Sequence, residues 1–554
     1  MKNFLTNLFY ILEKLSRTEK LIIFLLVFSS LYIVALEALT FSTIYSIFSS
    51  DFDNANNFFI NNLFFYLDDY FTKKNDLLIF FLVFCLFIRN ISHLLYQFLT
   101  AKFIYNLYAK NSKLLLESYF KKDLFNFFKK SKAEYLKNII KESYLVYLGV
   151  VYACIVLAAD LIYLFSLCIF AIYFLNIDLN ISYLGLFLFC FAFYFLIIKK
   201  IKNLGKLREN SETGIYEFCT EILSSIVEIR IYKKSNLLIK SFFNKMLAYC
   251  KSMVRINALN ILPKNFLEIL LAILILILYV NSDNQNEFFL NNAYFASIGF
   301  VIYRIVPSIS NIFIRFNTII VNYPAMDIFK KLHEEKAREQ IFQDVTKFEF
   351  KKIVLNNVNF SINQKKIITD FSYAFNKGNI YCLKGNSGSG KTCLIYLLLS
   401  LYKVNSGKFF IDDIEIKNEI SWGYNIGFVS QTPIVLDLKL SDNLFIDDIS
   451  ELSAIEKNYF YEFGLGQLIN KTDELNKDGL RNLSGGEKQR LSIIKALIRK
   501  PKLLILDEPF SALDKKNTLI LIEQLKKIKK ETIIILSTHE NSFDEHFDKI
   551  ISLN

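Results

Sequence analysis

Proline and glycine are scarce in this chain, 6 and 17 among 554 residues. So few argue against extended linkers and low-complexity disorder. The eight cysteines are scattered, with no CxxC spacing, and Cys85, Cys154, Cys168 and Cys190 sit inside apolar runs. A cysteine zinc site and a disulfide framework are therefore not expected, and buried reduced thiols are. No internal repeat is visible. A secretory signal is missing too: Lys2, Lys14 and Arg17 precede an apolar run too long for a signal's hydrophobic stretch.

What is abundant is grease. The chain is 53% hydrophobic and 16% aromatic, with 56 phenylalanines. Six apolar runs reach the length of about 20 residues that a helix needs to cross hydrocarbon. They lie at 21–48, 77–100, 143–174, 181–198, 261–280 and 293–321, and the third and sixth are long enough to project into water. The net charge of +12 is distributed in register with these runs. Segment 101–141 holds ten lysines and three acids, and 199–261 holds twelve basic residues and five acids. By contrast, 50–76 holds five aspartates and two lysines, and 281–292 has Asp283 and Glu287 with no base. Basic loops mark the cytoplasmic side, so both termini are expected inside, with two large inner loops. A nucleic-acid-binding protein would not alternate charge in this way.

Within the second inner loop, "EFCTEILSSIVEIRIYKKS" places Leu223, Ile226, Ile229 and Ile231 near one helical stripe, suiting a packed helix or an arm toward a cytosolic partner domain. In the first outer loop, Phe59, Leu63, Phe64 and Leu67 oppose Asn61, Asn62, Asp68 and Asp69, as in a short interfacial amphipathic helix or a cap on the bundle. A few ionisable residues fall inside the runs, among them Glu37, Arg89, Asp160, Glu268 and Arg304, with Lys264 near an inner end. Each charge at mid-membrane costs about 3 kcal/mol on insertion scales, so it faces a cavity or a partner. Two readings stand: acid–base pairs across helices, or Arg89, Lys264 and Arg304 lining a path for an anionic headgroup such as a phosphate or pyrophosphate.

After Met326 the pattern changes to short strands alternating with helices, as in an α/β nucleotide-binding domain. We place a membrane domain at 1–330, a linker at 331–345 and a nucleotide domain at 346–554. "NIYCLKGNSGSGKTCLIYLLLSL" is a strand, a glycine-rich loop and an apolar helix, the context a phosphate loop requires. Gly385, Gly388 and Gly390 let backbone N–H groups turn inward around Asn386, Ser387 and Ser389. Lys391 is expected to reach the β- and γ-phosphates of ATP, and Thr392 to offer its hydroxyl to Mg2+. "KLLILDEP" is a buried strand ending in acids, of which Asp507 is expected to hold Mg2+ through water and Glu508 to polarise an attacking water. Gln431 in "FVSQTP" suits contact with both metal and neighbouring domain, and His539 after "TIIILSTH" suits the γ-phosphate. In "LSGGEKQR", Ser484, Gly485 and Gly486 open a second helix with anion-binding character.

In this order the motifs, with "SALD" at 511–514, resemble an ABC transporter half-subunit of the exporter type, and the resemblance covers essentially the whole chain. It implies an all-α domain of six long membrane helices fused to an α/β phosphate-loop domain. It also implies a dimer, here a homodimer, in which each "LSGGE" closes over the ATP of the other chain while helical arms move the spans. Two departures stand out. The aromatic residue that usually stacks on adenine is replaced by Ile362, with Phe360 nearby, and the chain ends at "KIISLN" soon after His539. Neither removes a hydrolytic group. The membrane half is similar to bacterial flippases of lipid-linked oligosaccharides in the outer helix, "FIRN", "LPKNFLE" and "YRIVPS". No peptidase domain precedes the first run, which counts against a bacteriocin-type exporter. The expectation is ATP-driven outward movement of an amphipathic, anionic lipid-linked substrate across a bacterial cytoplasmic membrane. Export of a hydrophobic drug, lipid or peptide, and an ATP-gated channel or sensor, are the alternatives.

Overall fold

A backbone that crosses hydrocarbon must satisfy its own N–H and C=O groups, and here it does so as helices. The computed structural model describes residues 2–48, 74–122, 127–128, 130, 131–175, 181–280, 292–336, 343–344, 349–362, 365–386, 388–417, 420–470, 480 and 482–553. The outer amphipathic segment at 59–69 and Ser387 lie outside them. The chain divides into one unit of Met1–Phe120 with Lys130–Arg338, and a second of Lys121–Lys129 with Glu339–Asn554.

The first unit is helical. Its elements are α1 (Lys2–Glu13), α2 (Arg17–Phe48), α3 (Lys74–Phe120), α4 (132–175), α5 (Ile181–Ser224), α6 (Ile226–Ile231), α7 (Ser235–Val280), α8 (Asn292–Val321) and α9 (Tyr323–Lys336). Helices occupy all six apolar runs. Among the described residues, Arg17–Ile44, Leu78–Phe120 and Lys132–Leu167 are long and apolar enough to cross a membrane, and a fourth span results if Tyr303–Val321 and Tyr323–His333, bent by 46°, count as one. These helices make the chain a multi-pass membrane protein. With 44 to 47 residues each, α3, α5 and α7 extend about 65–70 Å, twice the hydrocarbon thickness, so their basic halves project beyond it.

Helix α4 is irregular at its start. It contains π-helical stretches at Lys137–Glu142 and Leu145–Val151 before regular helix resumes at Tyr152. The buried Lys137 lies there, 2.9 Å from the Glu142 carboxylate, and donates to Thr213 at 2.6 Å. A buried ammonium is tolerable only with such partners. The apolar stripe at 217–235 is interrupted at Ser225, between α5 and α6, and Leu223 and Ile231 are 69% and 68% exposed within their unit.

The second unit carries two main sheets. One is parallel throughout, in the order β11 (Lys549–Ser552), β4 (Ile380–Lys384), β10 (Ile533–Ser537), β9 (Leu503–Asp507), β8 (Ile426–Val429). The other is antiparallel: β3 (Lys365–Asn376), β2 (Lys352–Ile362), β5 (Ser406–Ile411), β6 (Ile414–Glu415). A short pair joins β1 (Gln343–Asp344) to β7 (Ile420–Ser421). Every residue of β9 and β10 is buried, which is why "LLILD" and "IIILS" read as unbroken apolar runs rather than alternating ones. Helices α10 (Lys391–Leu398), α11 (Leu440–Leu444), α12 (Ala454–Glu462), α13 (Gly485–Ile498) and α14 (Lys515–Ile528) complete the unit.

Candidate nucleotide-binding site

Three neighbouring strands end level. Leu383 of β4 pairs with Ser537 of β10, and Ser537 with Asp507 of β9. The segments that follow them therefore meet at the carboxyl edge of the parallel sheet, where open α/β folds bind ligands. These segments are the phosphate loop, Glu508 and His539.

The loop is shaped by close approach. A Cβ on Gly385 would lie 2.4 Å from the Leu553 carbonyl oxygen and 2.5 Å from Ser389 Oγ, so only glycine fits. Gly390 has a φ of 95° and serves as the N-cap of α10. Lys391 is buried, and its Nζ donates to the carbonyls of Gly385 at 2.8 Å and Asn386 at 3.2 Å, which holds the ammonium across the loop. Asn386 and Gly388 are exposed at the rim. Ser389 Oγ is buried without a hydrogen-bond partner among the described residues. Such a buried hydroxyl, set among a lysine and a helix N-terminus, is what a phosphate oxygen would complete.

Behind the loop runs a chain of hydroxyls and carboxylates. Thr392 Oγ1 donates to Asp507 Oδ2 at 3.2 Å, and Ser537 Oγ donates to Asp507 Oδ1 at 2.6 Å. The Thr392 hydroxyl and the Asp507 carboxylate are hard oxygen donors of the kind Mg2+ takes beside phosphates. Glu508 is held in the left-handed region with φ 48°, an uncommon conformation for a residue other than glycine. Its N–H donates to Ser537 Oγ at 3.0 Å. Gln431 Nε2 donates to Glu508 Oε2 at 2.8 Å, and His539 Nε2 lies 3.0 Å from Oε1. The same Nε2 is 3.2 Å from Lys391 Nζ. Since an ammonium cannot accept, Nε2–H donating to Glu508 leaves the lysine as a neighbour rather than a partner. Lys391, Gln431, Asp507, Glu508 and His539 thus form one assembly with the loop.

The signature segment stands apart from that assembly. Ser484 is the N-cap of α13 in a capping box: its N–H donates to Glu487 Oε2 at 2.8 Å, and its Oγ accepts from Glu487 N at 3.3 Å. The Ser484 N–H and hydroxyl hold the Glu487 carboxyl below its usual range. Ser484 and Gly485 are exposed, and a Cβ on Gly486 would meet the Ala512 carbonyl at 2.8 Å, packing the helix start against the segment after Glu508. Phe360 is not available to a base: it is buried and stacks on Tyr402 at 5.2 Å. That removes it as a substitute for an adenine-stacking ring, and Ile362, half-buried at the end of β2, remains.

In the first unit, Arg89 and Arg304 converge on Glu37. Arg89 Nη2 lies 2.5 Å from Oε1 and Arg304 Nε 3.5 Å from Oε2. Lys264 does not join them but pairs along its own helix with Glu268 at 3.8 Å, both exposed. Glu37 was not singled out as a site residue from sequence and was read only as one in-span charge. The signal for Glu37 was present, since an acid within an apolar run needs a basic partner.

Residues 368–511 match the ABC transporter family. An export ATP-binding/permease protein of Rickettsia felis is 29% identical over 374 residues, covering 64% of each chain. An ATP-dependent lipid A-core flippase of Francisella tularensis is 24% identical over 378 residues, covering 65% of this chain and 62% of its own. The match thus spans a little under two thirds of these relatives' length. The structure of a bacterial Atm1-family ABC exporter with ATP bound superposes with a TM-score of 0.72 at 15% identity, covering 97% of this chain and 93% of that one. Residues 368–511 of the second unit therefore match an ABC transporter ATP-binding domain, and the chain as a whole has the fold of an ABC exporter.

Proposed function

We propose that the chain hydrolyses ATP to move an amphipathic, anionic lipid-linked substrate outward across a bacterial cytoplasmic membrane, working as a homodimer. In this reading 1–330 forms the membrane domain, 346–554 the nucleotide domain, and both termini face the cytoplasm. The observation that carries it is the Gln431–Glu508–His539 cluster beside Lys391, in one chain with helices that enclose the Glu37 arginine pair. The first is machinery for phosphoryl chemistry, and the second is a charged spot that membrane helices retain only for a use.

ATP enters with its phosphates in the loop, and Lys391 exchanges carbonyl partners for phosphate oxygens. Mg2+ held by Thr392 and Asp507, with Gln431 alongside, would neutralise phosphate charge. Glu508 polarises the attacking water, while Gln431 and His539 hold its carboxylate in place. Ser484, Gly485 and Gly486 lie at an exposed helix start outside that cluster, so they are free to close over the ATP of a second copy. The exposed apolar residues around Ser225 suit an arm that docks on a nucleotide domain. The named role of the Francisella relatives favours a lipid over a peptide or drug.

The test is reconstitution into vesicles with a fluorescent anionic lipid and ATP. ATP-dependent arrival of that lipid in the opposite leaflet is expected. ATP hydrolysis without lipid movement would replace this reading with the channel or sensor.

A further inference from the structure

His539 stands 3.0 Å from Glu508, yet its side chain is 45% exposed, so packing alone does not fix the ring. Its backbone has to be held from both flanks. The upstream flank belongs to the parallel sheet: Ser537 pairs with Leu383, and the Thr538 N–H donates to the Leu383 carbonyl at 3.4 Å. The downstream flank, Glu540 and Asn541, is exposed and lies outside helix and strand. There Lys384, the last residue of β4, gathers it. Its Nζ donates to the Glu540 carbonyl at 3.3 Å, to Asn541 Oδ1 at 2.7 Å and to both carboxylate oxygens of Asp544, 2.6 Å from Oδ2. An ammonium has three N–H groups, and these acceptors occupy them. The Lys384 side chain is 16% exposed, so its pair with Asp544 is shielded from water better than a surface pair. Beyond Asn541 the segment is secured by Phe543, buried against Phe510 two residues after Glu508. Lys384 also directly precedes Gly385, and its carbonyl accepts from the Leu553 N–H at 2.8 Å. One strand end thus carries both the start of the phosphate loop and the contacts to the segment after His539.

We propose that Lys384 is a positioning residue for ATP hydrolysis: by tying the 540–544 segment to the end of β4, it fixes His539 relative to the phosphate loop and Glu508. The proposal rests on the reading of His539 given above and deepens it. Lys384 is not a second phosphate lysine, because Asp544 neutralises its ammonium and the segment after His539 uses its donors. Without that ammonium, Glu540 and Asn541 lose their anchor, and the imidazole spends only part of its time on Glu508. ATP binding draws on the loop, Lys391 and Thr392, so it persists. The loss falls on the chemical step.

The test is a double-mutant cycle on the full chain in phosphatidylcholine nanodiscs, reading Mg2+-ATP hydrolysis by the wild type, Lys384→Met, His539→Ala and the double variant. Lys384→Met should lower kcat about tenfold and leave KM for ATP within about twofold, since misplacing a group costs rate rather than binding. In the His539→Ala background the same change should lower kcat by less than about twofold, because no imidazole is left to place. Wild-type kinetics for Lys384→Met overturn the proposal. So does a tenfold loss that persists without His539, which would make Lys384 a support of the domain in general. A rise in KM with kcat intact also overturns it, because the lysine would then act on the phosphate loop. Asp544→Asn removes the counter-charge from the other side and should cost about threefold in kcat, again only while His539 is present. It decides the matter if Lys384→Met does not fold. If His539→Ala hydrolyses ATP like the wild type, the reading of His539 fails rather than the tether. In that case, and where His539→Ala retains no measurable turnover, amide hydrogen exchange decides. Faster exchange over 539–544 in Lys384→Met, with β9 unchanged, upholds the tether, and equal exchange refutes it.

Discussion

Glu508 and Glu37 are held in opposite ways. Glu508 stands at the open edge of a parallel sheet with an amide and an imidazole on its oxygens. Glu37 is sealed among helices with two guanidiniums on its oxygens. An amide and an imidazole orient a carboxylate for a water, whereas two guanidiniums on its oxygens spend its charge. The first arrangement suits a group that must act on a reactant, and the second a group that tunes its neighbours. The backbones differ accordingly. Glu508 adopts a left-handed conformation that aims it out of the strand, and Glu37 sits in regular helix.

The sharpest way to break this contrast is Glu508→Gln. It should lower ATP turnover by about 100-fold or more while preserving nucleotide binding, since the phosphate cradle is untouched. A turnover close to wild type would show that the carboxylate is not what polarises water. On the membrane side, Arg89→Ala and Arg304→Ala should each raise the half-stimulating concentration of a pyrophosphate lipid by about tenfold, the loss of one charge-assisted contact. An unaltered response would leave both arginines as ties to Glu37 and nothing more. Ile362→Tyr should lower KM for ATP about fivefold, because one stacked base contributes on the order of 1 kcal/mol or more. A KM equal to wild type would place adenine elsewhere.

The smallest expected effect is that of Ser484→Ala. Losing the capping box should cost about 1 kcal/mol, read as a modest fall in thermal unfolding temperature at neutral pH. The Glu487 carboxyl is held below its usual range, so its contribution is present above the unfolded carboxylate pKa and disappears as pH falls through the lowered folded value. The gap between Ser484→Ala and wild type should therefore narrow in acid, and a gap that widens there would contradict the hydrogen bonds seen.

Much of this was legible beforehand because its signals are local. The phosphate loop shows as glycines between a strand and a helix, β9 and β10 show as unbroken apolar runs, and helices appear where the six apolar runs lie. What was hard to read depended on distant partners. From sequence "KIISLN" carried no structural role, yet 549–552 forms the strand beside β4, and Leu553 packs against Gly385. Phe360 looked like a candidate for the base until Tyr402, forty-two residues on, claimed its face. The break at Ser225 divides what reads as one stripe, because helix periodicity alone does not register a turn within a basic arm.

The amino-acid sequence by itself determined the chemistry and the division of labour: where hydrocarbon is crossed, where phosphates are cradled, and which carboxylates end strands. These follow from runs and spacings of a few residues, where each side chain's partner is water, lipid or its own turn. Only the tertiary structure decided the pairings, above all that two arginines 215 positions apart share Glu37 while Lys264 stays out. An in-span charge demands some partner, but its identity depends on which helices pack together, and no local pattern carries that information.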